Sequence, residues 1–305
     1  MRKTIINKTY IWGAGKYGER ALEYCDDQFD IVGFVDKRAN REFNEFRSRP
    51  VISPSEFLSS KQEINVIIAI TYPAEVLKLI NEDINAHIYI FDGRNPENFM
   101  LYKVENNEIC CPEYMDKEYM EWKPYSEHYS KQTKYILNIY TTALECIKQQ
   151  KEPCKIIEIG CGSGLFANML FDNGYSDYVG IDFSPEAIRL AKKANIQHTE
   201  RFICCDAFEY LSDYSGTDNT IFVLFEVLEH INRDIELLNM LPTKSRIILS
   251  VPNFKSFNHI RVFNDLQEIK ERYTMLNIHM YHELPSQTEG KVYHFVVAEK
   301  SDDAI

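Results

Sequence analysis

The sequence predicts an α/β protein of two doubly wound, mainly parallel sheets, and three observations predict it. Short apolar runs alternate with helical stretches in both halves of the chain, as parallel strands joined by helical crossovers require. A Gly-rich turn follows the first strand of each half, at residues 13–18 and 160–164. The chain closes on two strand-like runs, 276–282 and 292–299, with only a short loop between them. Parallel neighbours need a crossover of a dozen or more residues, so this last pair is expected to be antiparallel.

In the first half, the apolar run 9–12 leads into the Gly-rich turn and a helical stretch through Ala21, Leu22 and Tyr24. A second strand, 31–35, ends at Asp36. The polar stretch 37–50 carries Arg38, Arg41, Arg47 and Arg49 and reads as a loop. Val51 and Ile52 precede Ser53-Pro54, where Ser or Pro opening a helix is a capping signature. Strand 65–70, a helix from 73 to about 83 and strand 88–91 complete a first domain over 1–94. Residues 95–112 are expected to be a connector.

The second domain is expected over 113–305, opening with helices. Its first stretch is rich in aromatics: Tyr114, Tyr119, Trp122, Tyr125 and Tyr129. Tyrosine has an apolar body and a polar tip that suits a sugar-facing lid, and it is equally an ordinary core residue. Helical periodicity follows through Tyr135, Ile136, Ile139 and Ala143. Strands are expected at 155–159, 177–181, 201–205, 219–225 and 246–251.

Composition narrows the function classes. In 305 residues, 34 Lys and Arg face 46 Asp and Glu, a net charge of -12. That balance argues against gripping nucleic acid by bulk charge. The longest apolar runs, such as 66–70 and 221–225, fall far short of the ~20 residues of a spanning helix. Residues 1–8 hold no continuous apolar stretch, so no signal peptide is expected. The 8 cysteines include two adjacent pairs and no CxxC. They read as reduced thiols of a cytoplasmic protein.

The chemistry concentrates after strand 155–159. Glu158 is followed by Gly160, Cys161, Gly162, Ser163 and Gly164, a turn of bare amides that opens a helix. The next strand ends in Asp182, where a carboxylate can take both hydroxyls of a ribose. Phe183 beside it could lie on an adenine face. Asp206-Ala207 ends the third strand, again with an acid, and Glu226, Glu229 and His230 follow the fourth. Ligands of open α/β sheets bind outside the carboxyl ends of the strands, where all these residues fall.

In order and spacing these motifs resemble class I S-adenosylmethionine-dependent methyltransferases, nearest the ubiquinone-biosynthesis O-methyltransferase group, over residues ~155–300. The resemblance implies a seven-stranded sheet with one antiparallel strand. It implies that Glu158 and the 160–164 turn hold the methionine portion of the cofactor. Asp182 would then hold the ribose, Phe183 and Asp206-Ala207 the adenine, and Glu226 the floor of the site. Two histidines are candidate bases for a hydroxyl acceptor: His230, and His259 in a segment that resembles the acceptor border. In some ubiquinone-type relatives the residues matching Glu226, Glu229 and His230 hold a divalent metal, which stays open here.

The first domain carries GxGxxG between a strand and a helix, with Gly13, Gly15, Lys16, Tyr17 and Gly18 in the turn and Asp36 ending the next strand. This is the context of a dinucleotide fingerprint. It resembles the small Rossmann-like domains of bacterial sugar-modifying enzymes, which implies a nucleotide or nucleotide-sugar ligand. A degenerate domain kept for packing or homodimer formation, and a nicotinamide site, are the alternatives. The expected function is methyl transfer to a small-molecule acceptor, a hydroxyl on a sugar or sugar-nucleotide of surface-glycan biosynthesis. The rivals are another small metabolite with the first domain as a regulatory nucleotide sensor, and a non-catalytic nucleotide-sugar-binding module.

Overall fold

The computed structural model describes residues 8–59, 64–80, 86–105, 108–121, 128–216 and 219–301. By its contacts the chain divides into two units. The first is Met1–Ile109 with Ser256–Ile260, and the second is Cys110–Lys255 with Arg261–Ile305. Trp122 and Tyr125 lie outside the described residues.

The first unit runs β1 (Thr9–Trp12), α1 (Lys16–Cys25), β2 (Ile31–Val35), β3 (Glu45–Phe46), β4 (Arg49–Ile52), α2 (Pro54–Leu58), β5 (Ile64–Ile68), α3 (Ala74–Leu77), β6 (Ala86–Asp92) and β7 (Met100–Lys103). Among the described residues they form one seven-stranded sheet in the order β3-β4-β2-β1-β5-β6-β7. The five inner strands are parallel, while β3 and β7 pair antiparallel at the edges. The inner strand β5 is buried at every residue, because a strand inside a parallel sheet is covered on both faces. The capping signature holds: Ser53 Oγ accepts the Glu56 N–H at 3.2 Å, with Pro54 opening α2.

Two expectations for this half change. The stretch 37–50 is not all loop, since it contains β3 and the start of β4. The expected connector 95–112 contains β7, whose pairing with β6 keeps it in the first unit, so the division falls after Ile109. An antiparallel edge strand is set by its partner rather than by its own apolar pattern, and Met100–Lys103 has little pattern to read.

The second unit opens with α4 (Pro112–Glu121), a 3-10 turn at Tyr129–Lys131 and α5 (Lys134–Lys148). It continues with β8 (Lys155–Ile159), α6 (Leu165–Asp172), β9 (Tyr178–Asp182), α7 (Pro185–Ala194), β10 (Phe202–Cys204), α8 (Ala207–Ser212), β11 (Thr220–Phe225), α9 (Asp234–Met240), β12 (Arg246–Pro252), α10 (Leu266–Arg272), β13 (Leu276–Pro285) and β14 (Val292–Lys300). Among the described residues its sheet has seven strands in the order β10-β9-β8-β11-β12-β14-β13. Only β14 runs against its neighbours, so the closing hairpin and the single antiparallel strand are as the sequence predicts.

Alternation along the inner strands fills two cores. Phe222, Leu224, Ile247 and Leu249 join one, while Ile221, Val223 and Ile248 join the other. Helices therefore cover both faces, which leaves the carboxyl edge of the parallel strands as the place where side chains remain accessible. None of the eight cysteines is in a disulfide. Among the described residues, no helix is long and apolar enough to cross a membrane.

Candidate active site

The turn after β8 is shaped by its glycines. Gly160 and Gly162 have φ of +72° and +53°, where a side chain is strained. A Cβ on Gly162 would also lie 2.9 Å from the Tyr119 hydroxyl of α4, which sits over this turn. Gly164 caps α6, and Cys161 and Ser163 are buried within the turn. Ser163 Oγ has no hydrogen-bond partner among the described residues. An unsatisfied buried hydroxyl costs about 1–3 kcal/mol, so this atom marks a place for a polar ligand group.

Asp182, at the end of β9, is bound to that turn. Its Oδ2 accepts the Gly162 N–H and its Oδ1 accepts the Ser184 N–H, both at 2.9 Å. Burial pushes its carboxyl up to about 6; the two amide bonds oppose this and the Asp116 charge adds to it. Each carboxylate oxygen keeps a second lone pair for a ligand hydroxyl. Phe183 follows, partly exposed.

Two expected contacts have protein partners of their own. Glu158 is buried and its Oε2 accepts the Tyr178 hydroxyl at 2.5 Å. Burial pushes it up to about 8 despite that bond, with the Asp182 charge adding. Asp206 is the N-cap of α8, whose first residue is Ala207, and its Oδ1 accepts the Phe208 N–H at 2.7 Å. Tyr178 was not singled out by the sequence, where it reads as one more apolar strand residue.

At the end of β11, Glu226 takes a left-handed conformation with φ +55°. Its Oε1 accepts the Ser250 hydroxyl at 2.9 Å, which ties the ends of β11 and β12 together. Residues 228–230 form a turn and α9 starts at Asp234, so no helix brings Glu226, Glu229 and His230 together. Glu229 is wholly buried, and His230 Nε2 lies 3.8 Å from its Oε1. Burial pushes Glu226 up to about 8; burial and the Glu226 charge push Glu229 well above the usual carboxylate range. A carboxyl pair of this kind holds a proton near neutrality.

This turn is pinned by a residue that local sequence did not reveal. Arg261 donates to the carbonyls of Leu228, Ile231 and Asn232 and pairs with Asp234 at 3.2 Å. Asp234 is also held by Arg272, at 2.7 Å to each oxygen, and by the Tyr273 hydroxyl. His259 lies in Ser256–Ile260, which belongs to the first unit.

The first unit has a related arrangement. Asp36 Oδ2 accepts the Ala14 N–H at 2.9 Å. Arg38 adds a fork, Nε to Oδ1 at 2.8 Å and Nη2 to Oδ2 at 2.9 Å. Burial pushes Asp36 up, but these bonds outweigh it and hold the carboxyl down at about 2. Arg38 is the residue the sequence reading missed, because 37–50 offered several arginines and no way to choose. Gly13 and Gly18 are required by packing: a Cβ on Gly13 would meet Ala69 O at 2.7 Å, and one on Gly18 would overlap Gly13 O. Gly15 is different. A Cβ there would meet nothing within 4 Å. Lys16 is exposed and Tyr17 partly buried at the start of α1, which has no side-chain cap.

Residues 156–241 match the family model described as a methyltransferase domain. No curated protein matches the chain. Among solved structures, the chain is similar to the N-methyltransferase NodS of Bradyrhizobium japonicum in complex with S-adenosyl-L-homocysteine. That likeness has 16% identity, a TM-score of 0.47, and covers 62% of this chain and 97% of the other. The 1,6-didemethyltoxoflavin-N1-methyltransferase of Burkholderia thailandensis shares 16% identity at a TM-score of 0.47, over 66% of this chain and 96% of its own. Magnesium protoporphyrin IX methyltransferase of Synechocystis shares 15% identity at a TM-score of 0.45, over 62% and 95%.

Proposed function

We propose, for a chain that carries a methyltransferase domain, that S-adenosylmethionine is the methyl donor and a small molecule the acceptor. The observation that carries this reading is the bond between Asp182 and the Gly160–Gly164 turn, with the unpartnered Ser163 hydroxyl inside it. The cofactor would lie on that turn, its ribose on Asp182 and its adenine beside Phe183 and Asp206. Glu226 would form the floor, and Glu158 would act from beneath through the strand end that it shapes with Tyr178. When bound, the cofactor supplies a methyl group on a positively charged sulfur. The protein's part is to hold the acceptor in line and to take its proton.

The acceptor in this reading is a hydroxyl of a sugar or sugar-nucleotide in surface-glycan synthesis, and His230, beside the buried Glu226–Glu229 pair, is the base. The first unit is a nucleotide or nucleotide-sugar site, and Gly15 favours that reading: neither its backbone (φ −142°) nor its surroundings demand glycine. A glycine that the fold does not need suits a surface against which a ligand backbone packs closely. Calorimetry with S-adenosylhomocysteine and a panel of nucleotide-sugars tests both halves. Binding of S-adenosylhomocysteine with one sugar-nucleotide is the expected result. Absence of S-adenosylhomocysteine binding overturns the cofactor reading.

A further inference from the structure

Helix α4 is joined to the carboxyl edge of the sheet by a closed ring of contacts. Asp116 Oδ1 accepts the Ser184 hydroxyl at 2.5 Å and the Glu186 N–H at 3.0 Å. Ser184 in turn donates its backbone N–H to Asp182 Oδ1, and Asp182 Oδ2 accepts the Gly162 N–H, both at 2.9 Å. Above Gly162 stands the Tyr119 hydroxyl, 2.9 Å from where a Cβ would be. Tyr119 is three residues after Asp116, on the same face of α4, which closes the ring.

The ring contains the ribose acid and the bare turn of the proposed cofactor site. We infer that Asp116 is a positioning residue for the cofactor: its bond to Ser184 latches α4 over Asp182 and Gly162, and cofactor exchange requires that latch to open. The inference rests on the reading of this site as the cofactor site.

Capping alone does not account for an acid supplied from α4, 68 residues before Ser184. Ser184 already caps α7, its Oγ accepting the Ala187 N–H at 3.0 Å with Pro185 opening the helix. Asp116 takes the neighbouring first-turn donor, the Glu186 N–H, so one carboxylate both completes the cap of α7 and holds α4 to it. Asp116 also places a second negative charge near Asp182, and that charge raises the Asp182 carboxyl. Like charges brought together without a cation are unfavourable. What the ring secures in return is the placement of α4.

The test uses S-adenosylhomocysteine and the full chain. Asp116→Ala should speed its dissociation roughly tenfold, as loss of a charge-assisted hydrogen bond does, and weaken affinity by the same factor. The unfolding temperature should fall only slightly, as the Glu186 N–H and the Ser184 hydroxyl lose their acceptor. Asp116→Asn should restore parent behaviour, because an amide oxygen still accepts both bonds. Ser184→Ala combined with Asp116→Ala should weaken binding no further than the worse single change. Hydrogen exchange on the parent gives a readout independent of any variant: bound S-adenosylhomocysteine should slow exchange across 112–121. Parent-like dissociation in Asp116→Ala, or unchanged exchange in α4, overturns the latch, while weakened binding by Asp182→Ala leaves the cofactor reading intact. A parent that does not bind S-adenosylhomocysteine overturns both.

Discussion

Asp182 Oδ2 accepts the Gly162 N–H at 2.9 Å, so the acid at the end of the second strand holds the turn after the first. The first unit repeats this with Asp36 and Ala14, also at 2.9 Å. In both units the bond fixes the turn by backbone geometry. The surroundings differ: Asp36 is paired with the Arg38 guanidinium, whereas among the described residues Asp182 has no cation bonded to it and faces the Asp116 charge.

Asp182→Ala should weaken S-adenosylhomocysteine binding about ten- to a hundredfold, the worth of a pair of hydrogen bonds to a carboxylate, ~1.5–3 kcal/mol. Gly162→Val should be worse, because its side chain is strained at φ +53° and meets Tyr119. Since Asp182 titrates at about 6, parent affinity should fall as pH drops through that value. Glu158, Cys161, Asp116, Cys204 and Cys205 surround it, and none is a cation. Calorimetry at several pH values checks this, and Asp182→Asn should remove the acid limb.

Stability should fall as pH rises across neutrality. Glu158 and Glu226 both titrate at about 8 when folded, against ~4.3 unfolded. The folded state therefore binds protons that the unfolded state has released, so this contribution is complete below ~4 and is lost as pH rises toward 8. Asp36 acts in the opposite sense, at about 2 when folded, so its contribution is lost only below ~4. Thermal melts of the unliganded protein should show a lower unfolding temperature at pH 8 than at pH 5. Glu158→Gln should flatten that slope, and an unchanged slope would contradict the assignment.

Gly15→Val tests the first unit, because a Cβ at this position meets nothing within 4 Å. The variant should fold with parent stability, lose nucleotide-sugar binding and keep S-adenosylhomocysteine binding. Equal nucleotide-sugar binding by parent and variant would place the ligand elsewhere.

His230→Ala should lower turnover by ~10²–10⁴ with S-adenosylhomocysteine affinity little changed, as expected for loss of a general base. Transfer of labelled methyl to the sugar-nucleotide panel measures it, with His259→Ala beside it as the second candidate base. Should chelation abolish transfer and magnesium restore it, the role of His230 would be as a metal ligand with Glu226 and Glu229 instead.

Much of the second unit was legible because its signals are local. The apolar run before Gly160, the acid Asp182 closing the next strand and the short loop before Val292 each depend on residues adjacent in sequence. The first unit was legible in β1, β2, β5 and β6, which carry apolar runs, only in part in β4, whose start was read as loop, and not in β3 and β7. Those short edge strands exist only because β4 and β6 offer them partners.

The sequence by itself determined the order of strands and helices, the two glycine turns and the acids at the strand ends. Hydrophobic periodicity, backbone freedom and helix capping act over a few residues and can be read along the chain. Only the tertiary structure decided who meets whom. Asp116 reaches Ser184 across 68 residues, Arg38 rather than another arginine settles on Asp36, and Arg261 gathers the carbonyls of Leu228 and Ile231 on either side of His230 in the chain. Such pairings depend on strand order and sheet closure, which bring distant residues together only once the long-range contacts have formed.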